Sequence, residues 1–157
     1  MVSNETIARC QIPIRQAVPA DIEGISRVRL AVQENATTPE RLAALGITPA
    51  NVAASLLAEC RGWVAEDAGR IVAFSIADRD AGSIFALFVL PECEARGLGS
   101  RLLAHAVQWL WQQGVHTVWL STDPGTRAAR FYQRAGWQQV GTDARGELRF
   151  ELRRNGP

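Results

Sequence analysis

Lysine is absent: all 17 basic residues of this 157-residue chain are arginine. The bias reads as that of a GC-rich bacterial genome. Its physical result is a surface of permanently charged, fork-shaped donors. Against 16 acidic residues the arginines leave a formal charge of only +1. A dedicated nucleic-acid binder normally carries a strong basic excess, so that class is disfavoured. Trp63, Trp111, Trp119 and Trp137 also lack the interleaved basic residues of a base-stacking platform and read as core or sheet-packing residues. Cysteine is scarce. Cys10, Cys60 and Cys93 make an odd count with no CxxC spacing. With His105 and His116 as the two histidines, a zinc site has little to draw on, and no metal is expected. Three free thiols in a reducing cytoplasm are the expectation. Long apolar runs are missing too. The longest, Ile84 to Leu90, is far short of the ~20 residues that span a bilayer. Residues 1–11 carry Glu5 and no apolar stretch, so no signal peptide and no membrane partner are expected.

What is present suits one domain covering residues 1–157, with a core of about 12–152. Hydrophobic residues make up 47% of the chain and charged ones 21%. A chain of this length buries about 70% of its unfolded surface and needs no staple. Ile12 to Gln16 reads as a strand. Pro19-Ala20-Asp21 opens a helix whose Ile22, Ile25, Val28, Arg29 and Val32 fall at helical spacing. A short helix is expected over Pro39 to Leu45, and another from the Thr48-Pro49 cap to about Glu59. Gly62 to Glu66 and Arg70 to Asp78 flank the turn Asp67-Ala68-Gly69 as a hairpin. Ser83 to Leu90 reads as a strand buried on both faces. A long helix follows Gly97-Leu98-Gly99-Ser100, with Gly114 as its C-cap. Val115 to Thr122 is a strand, Thr126 caps a helix to about Ala135, and Trp137 to Thr142 with Glu147 to Leu152 close in a hairpin. Hairpins first, then strands joined through helices, predict an α/β fold. Its mixed sheet is antiparallel early and parallel across the long helix.

The chemistry concentrates where strand Leu87-Phe88-Val89 feeds Glu94-Ala95-Arg96-Gly97-Leu98-Gly99-Ser100. The first amides of a helix lack intrahelical partners, and the dipole adds roughly +0.5 charge there. Glycines let a phosphate approach the backbone, and Arg96 adds a fixed positive charge. These features make a site for a phosphate-bearing ligand. The same glycines also serve a tight strand-to-helix turn. Leu102 stands where a dinucleotide fingerprint has its third glycine, and no Gly-Lys-Ser/Thr follows, which excludes a P-loop.

A second segment, Asp123 to Trp137, lies about 30 residues on. Together the two resemble the GCN5-related N-acetyltransferase (GNAT) superfamily. Its phosphate loop, Gln/Arg-x-x-Gly-x-Gly/Ala, appears as Glu94-Ala95-Arg96-Gly97-Leu98-Gly99. Its later pattern, Asn-x-x-Ala-x-x-Phe-Tyr-x-x-x-Gly-Phe, appears as Gly125-x-x-Ala128-x-x-Phe131-Tyr132-x-x-x-Gly136-Trp137. Glu94 and Gly125 depart from the pattern. The likeness runs from Ile12 to Leu152.

The resemblance implies a GNAT-like fold: a mostly antiparallel mixed sheet flanked by helices, with a parallel strand pair at an acyl-CoA cleft. It implies transfer of an acetyl group from acetyl-CoA to an amine of a small molecule or peptide. The pantetheine arm would bond the main chain at Leu87 to Val89, and the pyrophosphate the amides of Arg96 to Ser100. Glu94, Ala95 and Phe131 join that cofactor site by the same likeness. Tyr132, the chain's one tyrosine, would protonate the departing thiolate. Glu34 and Asn35, after the first helix, would meet the amine. Where histone-type members carry a basic Glu, the count falls on Ser83. Asp123, Glu34, His116 and a water route remain for the base, and none is singled out. Gly125 and Ser83 keep a second reading open, a non-catalytic acyl-CoA sensor; a nucleotide-binding α/β domain is a third. The exposed edges of the closing hairpin suit a homodimer.

Overall fold

The computed structural model describes residues 11–94 and 96–155. Its strands are β1 (Ile14–Gln16), β2 (Cys60–Asp67), β3 (Arg70–Asp78), β4 (Ser83–Val89), β5 (Thr117–Thr122), β6 (Gln138–Thr142) and β7 (Leu148–Arg153). They form one sheet in the order β1-β2-β3-β4-β5-β7-β6. All neighbours run antiparallel except β4 and β5, which are parallel. The helices are α1 (Ile22–Ala31), α2 (Pro39–Ala44), α3 (Pro49–Leu56), α4 (Leu98–Gln112) and α5 (Arg127–Arg134). The expected mixed sheet is therefore present, with its parallel pair bracketing the long helix α4.

Local chemistry explains the starts of the elements. Thr38, Thr48 and Thr126 each accept a bond from the amide three residues on, at 3.2, 3.1 and 3.1 Å. Such caps satisfy donors that the helix leaves orphaned. Asp21 anchors the entry to α1. Its carboxylate takes two bonds from Arg15, both 2.8 Å, and one from the Val18 amide at 2.8 Å.

The core lies on either side of β3. Helices α1 and α4 both pack against that strand, so Ile71 to Ala77 are buried without interruption. Gly24 of α1 permits the close approach: a Cβ there would lie 2.8 Å from Ile71 Cδ1. Helix α4 buries Leu98, Leu102, Leu103, Ala106, Val107, Trp109 and Leu110. The one hydroxyl that β3 sends into the core, Ser75, donates to the Leu102 carbonyl at 3.1 Å, which offsets its desolvation. His105 of α4 stacks on Trp63 of β2 at 6.1 Å, and Trp137 is buried against Tyr132.

Two expectations change. Strand β4 is not buried on both faces: Phe85 is 44% exposed and Ala86 to Val89 are half-buried. A continuous apolar run can mark a strand beside a cleft as well as a strand inside a core. Helix α3 stops at Leu56 instead of Glu59, because the chain must turn before β2 begins at Cys60. Cys60 and Cys93 are free and buried. Cys10 and the N-terminal expectations lie outside the described residues.

Candidate active site

Strands β4 and β5 are joined at one register pair, Ser83↔Trp119. Trp119 pins that point twice: its amide donates to Gly82 O at 3.1 Å, and its indole Nε1 to Ala81 O at 2.8 Å. Beyond it β4 continues beside β3 as far as Ala73↔Val89, while β5 continues beside β7 as far as Thr122↔Leu148. The sheet thus opens into a wedge. An open cleft of about 1660 Å³ occupies it, lined by the whole of β4, by the glycine loop and by α5.

One end of the wedge faces the start of α4. Gly97 takes the left-handed conformation there, φ +77°, which an L side chain adopts only at a cost. Nothing lies within 4 Å of a Cβ placed on Gly97, and a Cβ on Gly99 would meet only Phe131, at 3.8 Å. The turn geometry accounts for Gly97. No protein atom accounts for Gly99, whose missing side chain leaves room on the cleft side. The amides of Leu98, Gly99 and Ser100 open the helix. The side chain of Leu98 is core, 2% exposed, so only its main chain is available to a ligand. Arg96 is exposed beside the loop. Ala95 lies outside the described residues.

Glu94, which departs from the family pattern, has a partner of its own. Its carboxylate pairs with the Arg127 guanidinium at the start of α5. The Arg127 amide in turn donates to Glu34 Oε2 at 2.9 Å. Arg127 therefore ties the glycine loop to the loop after α1 across the mouth of the cleft. Glu34 is thus held by its carboxylate. Asn35 sits at φ +59°, and its carbonyl accepts from Arg29 Nη1 at 2.9 Å. The Arg29 guanidinium also lies 4.2 Å over the Phe88 ring. Burial holds it below its ordinary pKa, with Asp123 nearby opposing the shift.

Tyr132 lines the same cleft and is 5% exposed. Its ring rests among Phe131, Trp137 and Phe150, at 5.2, 5.7 and 5.9 Å. Burial alone pushes the phenol well above its ordinary value of 10, so it holds its proton at neutral pH. Leu87, Val89, Gly97, Leu98, Gly99, Ser100, Phe131, Tyr132, Glu34, Asn35 and Glu94 are all brought to this one cleft. Ser83 is buried at its root. His116, before β5, is exposed and does not line it. The sequence reading missed Arg127, Arg29 and Glu147, which also line it. Outside the cleft, Glu59, Cys60 and Asp78 bring ligand-type atoms within 4.8 Å of one another, but burial pushes the Cys60 thiol up to about 11.

The wedge, the open helix start and the buried phenol define a class. Residues 40–137 match the family model described as acetyltransferase (GNAT) family, and the chain belongs to that family. In sequence it is similar to the [Ribosomal protein bS18]-alanine N-acetyltransferase of Escherichia coli strain K12. The two are 32% identical over 75 residues, 46% of this chain and 51% of that protein. The chain thus matches about half the length of its curated relatives. In fold it is similar to the PaiA N-acetyltransferase of Thermoplasma acidophilum, solved in complex with coenzyme A. The TM-score is 0.78 at 16% identity, over 92% of this chain and 99% of that one. The ribosomal-protein-S18-alanine N-acetyltransferase of Escherichia coli gives a TM-score of 0.67 at 18% identity, over 90% and 92%. Among the described residues no helix is long and apolar enough to cross a membrane.

Proposed function

We propose that this protein transfers an acetyl group from acetyl-CoA to an amine of a small molecule or peptide. The observation that carries the reading is the wedge: a parallel strand pair joined only at Ser83↔Trp119, with an anion-seeking helix start at one end and Tyr132 in its wall. The free edge of β4 at Leu87 and Val89 suits the extended amide-bearing pantetheine arm, as a strand edge suits any peptide-like chain. The amides of Gly97 to Ser100 suit the pyrophosphate. The room left by Gly99 is where that group would approach. Acetyl-CoA, when bound, supplies an activated acyl carbon and a thiolate leaving group. Tyr132, kept neutral by burial, gives its proton to that thiolate. Phe131 and Trp137 hold the ring in place.

The name of the Escherichia coli relative puts a protein alanine among the acceptors to be tried. The decisive assay follows release of free thiol from acetyl-CoA with a panel of small amines and peptide N-termini. Release dependent on one acceptor class is expected. Gly125, where the family pattern has Asn, and Ser83, where histone-type members carry a basic Glu, favour one other reading, a non-catalytic acyl-CoA sensor. Binding without release for every amine would select it.

A further inference from the structure

An acceptor amine arrives as an ammonium, and some group must take its proton before nitrogen can attack. Five carboxylates line the cleft: Glu34, Glu94, Asp123, Asp143 and Glu147. Three are already engaged by hydrogen bonds or an ion pair. Glu34 accepts the Arg127 amide and Glu94 the Arg127 guanidinium. Asp143 holds the β6–β7 turn, accepting the amides of Arg145 and Glu147 at 2.9 and 3.0 Å. Asp123 has the charge of Arg29 beside it. Asp123 and Glu147 are left with no hydrogen bond or ion pair to the carboxylate among the described residues, and Glu147 is the one not set beside Arg29.

Its position is also informative. Glu147 precedes Leu148, which pairs with Thr122 at the free end of β5, where the sheet has opened away from β4. Tyr132, nine-tenths buried and, among the described residues, without a hydrogen bond or neighbouring charge acting on its hydroxyl, faces the same space. An acid and a base would thus flank the wedge.

We infer that Glu147 takes the proton of the acceptor amine, a role that rests on the acetyltransferase reading. The ammonium gives one proton to the Glu147 carboxylate, which passes it to solvent. The freed lone pair forms the carbon–nitrogen bond as the carbon–sulfur bond breaks. Tyr132 protonates the sulfur, and the second nitrogen proton restores the phenol. The products are an amide, a thiol and one released proton.

The charges around Glu147 fit the task. Burial, with Asp143 and Asp123 adding to it, raises its carboxyl above its ordinary value; Arg145 opposes. Arg149 on β7 is turned to the Trp119 ring at 4.3 Å and to Glu151 at 3.3 Å. A base with a raised pKa removes a proton more effectively than an ordinary carboxylate.

The test is the pH profile of kcat for Glu147→Gln and Glu147→Asp against the unaltered protein, using whichever amine gives thiol release. Glu147→Gln is expected to lower kcat about 100-fold. The acid limb of the profile should vanish, and KM for acetyl-CoA should stay within about twofold. Glu147→Asp should recover part of kcat together with a pH-dependent limb. The turn uses the Glu147 main chain, so both variants should unfold at the temperature of the parent. A Glu147→Gln enzyme with parental kcat and parental acid limb overturns this inference alone. An unaltered protein that binds acetyl-CoA but acetylates no amine overturns the transfer reading, and this inference with it.

Discussion

Gly99 and Phe131 face each other across the start of α4, with a Cβ on the glycine falling 3.8 Å from the ring. That is an ordinary contact, so packing does not demand a glycine. Alanine also favours helix by about 0.5–1 kcal/mol over glycine. Gly99→Ala is therefore expected to unfold at an equal or slightly higher temperature while binding acetyl-CoA at least tenfold more weakly. Calorimetric titration beside a thermal melt reads both. Gly97→Ala differs: φ +77° makes it strained, and it should melt lower as well.

Tyr132→Phe removes a proton donor without removing a ring. Among the described residues the hydroxyl has no bonded partner that would be orphaned, and the contacts to Trp137 and Phe150 are made by the ring. The melting temperature should hold. Turnover should fall about 100-fold, with KM for acetyl-CoA changed less than about twofold. Steady-state kinetics of thiol release decide it.

These two sites were legible in the sequence because each is local. Gly97-x-Gly99 and Phe131-Tyr132 keep their meaning within a few residues of backbone, and the hydroxyl caps at Thr48 and Thr126 mark their helices directly. Glu147 and Arg127 were not legible. Glu147 reaches the cleft because β7, the second strand of the closing hairpin, slots between β5 and β6. Arg127 acquires its meaning from Glu94 and Glu34, which are 33 and 93 residues away. The exposure of β4 was hidden for the same reason. An apolar run looks alike whether the next strand pairs along it or parts from it at Ser83.

Glu94 puts a negative charge beside the loop that would receive phosphates. Its pair with Arg127 is solvent-exposed, so it contributes no more than ~1 kcal/mol to stability. Glu94→Gln should melt within about 4 °C of the parent. It should also bind coenzyme A several-fold more tightly at low salt, because Arg127 is freed and a repulsion is gone. Raising the salt to ~0.5 M should erase most of the gain. Titrations at two ionic strengths test this.

Asp21 gives the fold an acid-side weakness away from the cleft. The hydrogen bonds from Arg15 hold its carboxyl below the ordinary value of 3.8, with the Val18 amide helping against burial. A depressed folded-state pKa stabilises the protein above the unfolded value, and that stability is lost as pH falls through the folded one. Denaturant midpoints should therefore drop below about pH 4. Asp21→Asn should cost about 1–3 kcal/mol at neutral pH and flatten that acid slope.

A crystal structure of the protein with coenzyme A tests the central claim most directly. The account predicts pyrophosphate oxygens within hydrogen-bonding distance of the Gly97 to Ser100 amides, the arm lying along Leu87 to Val89, and the sulfur within reach of the Tyr132 hydroxyl. A coenzyme seated elsewhere, or a sulfur remote from that hydroxyl, would contradict it.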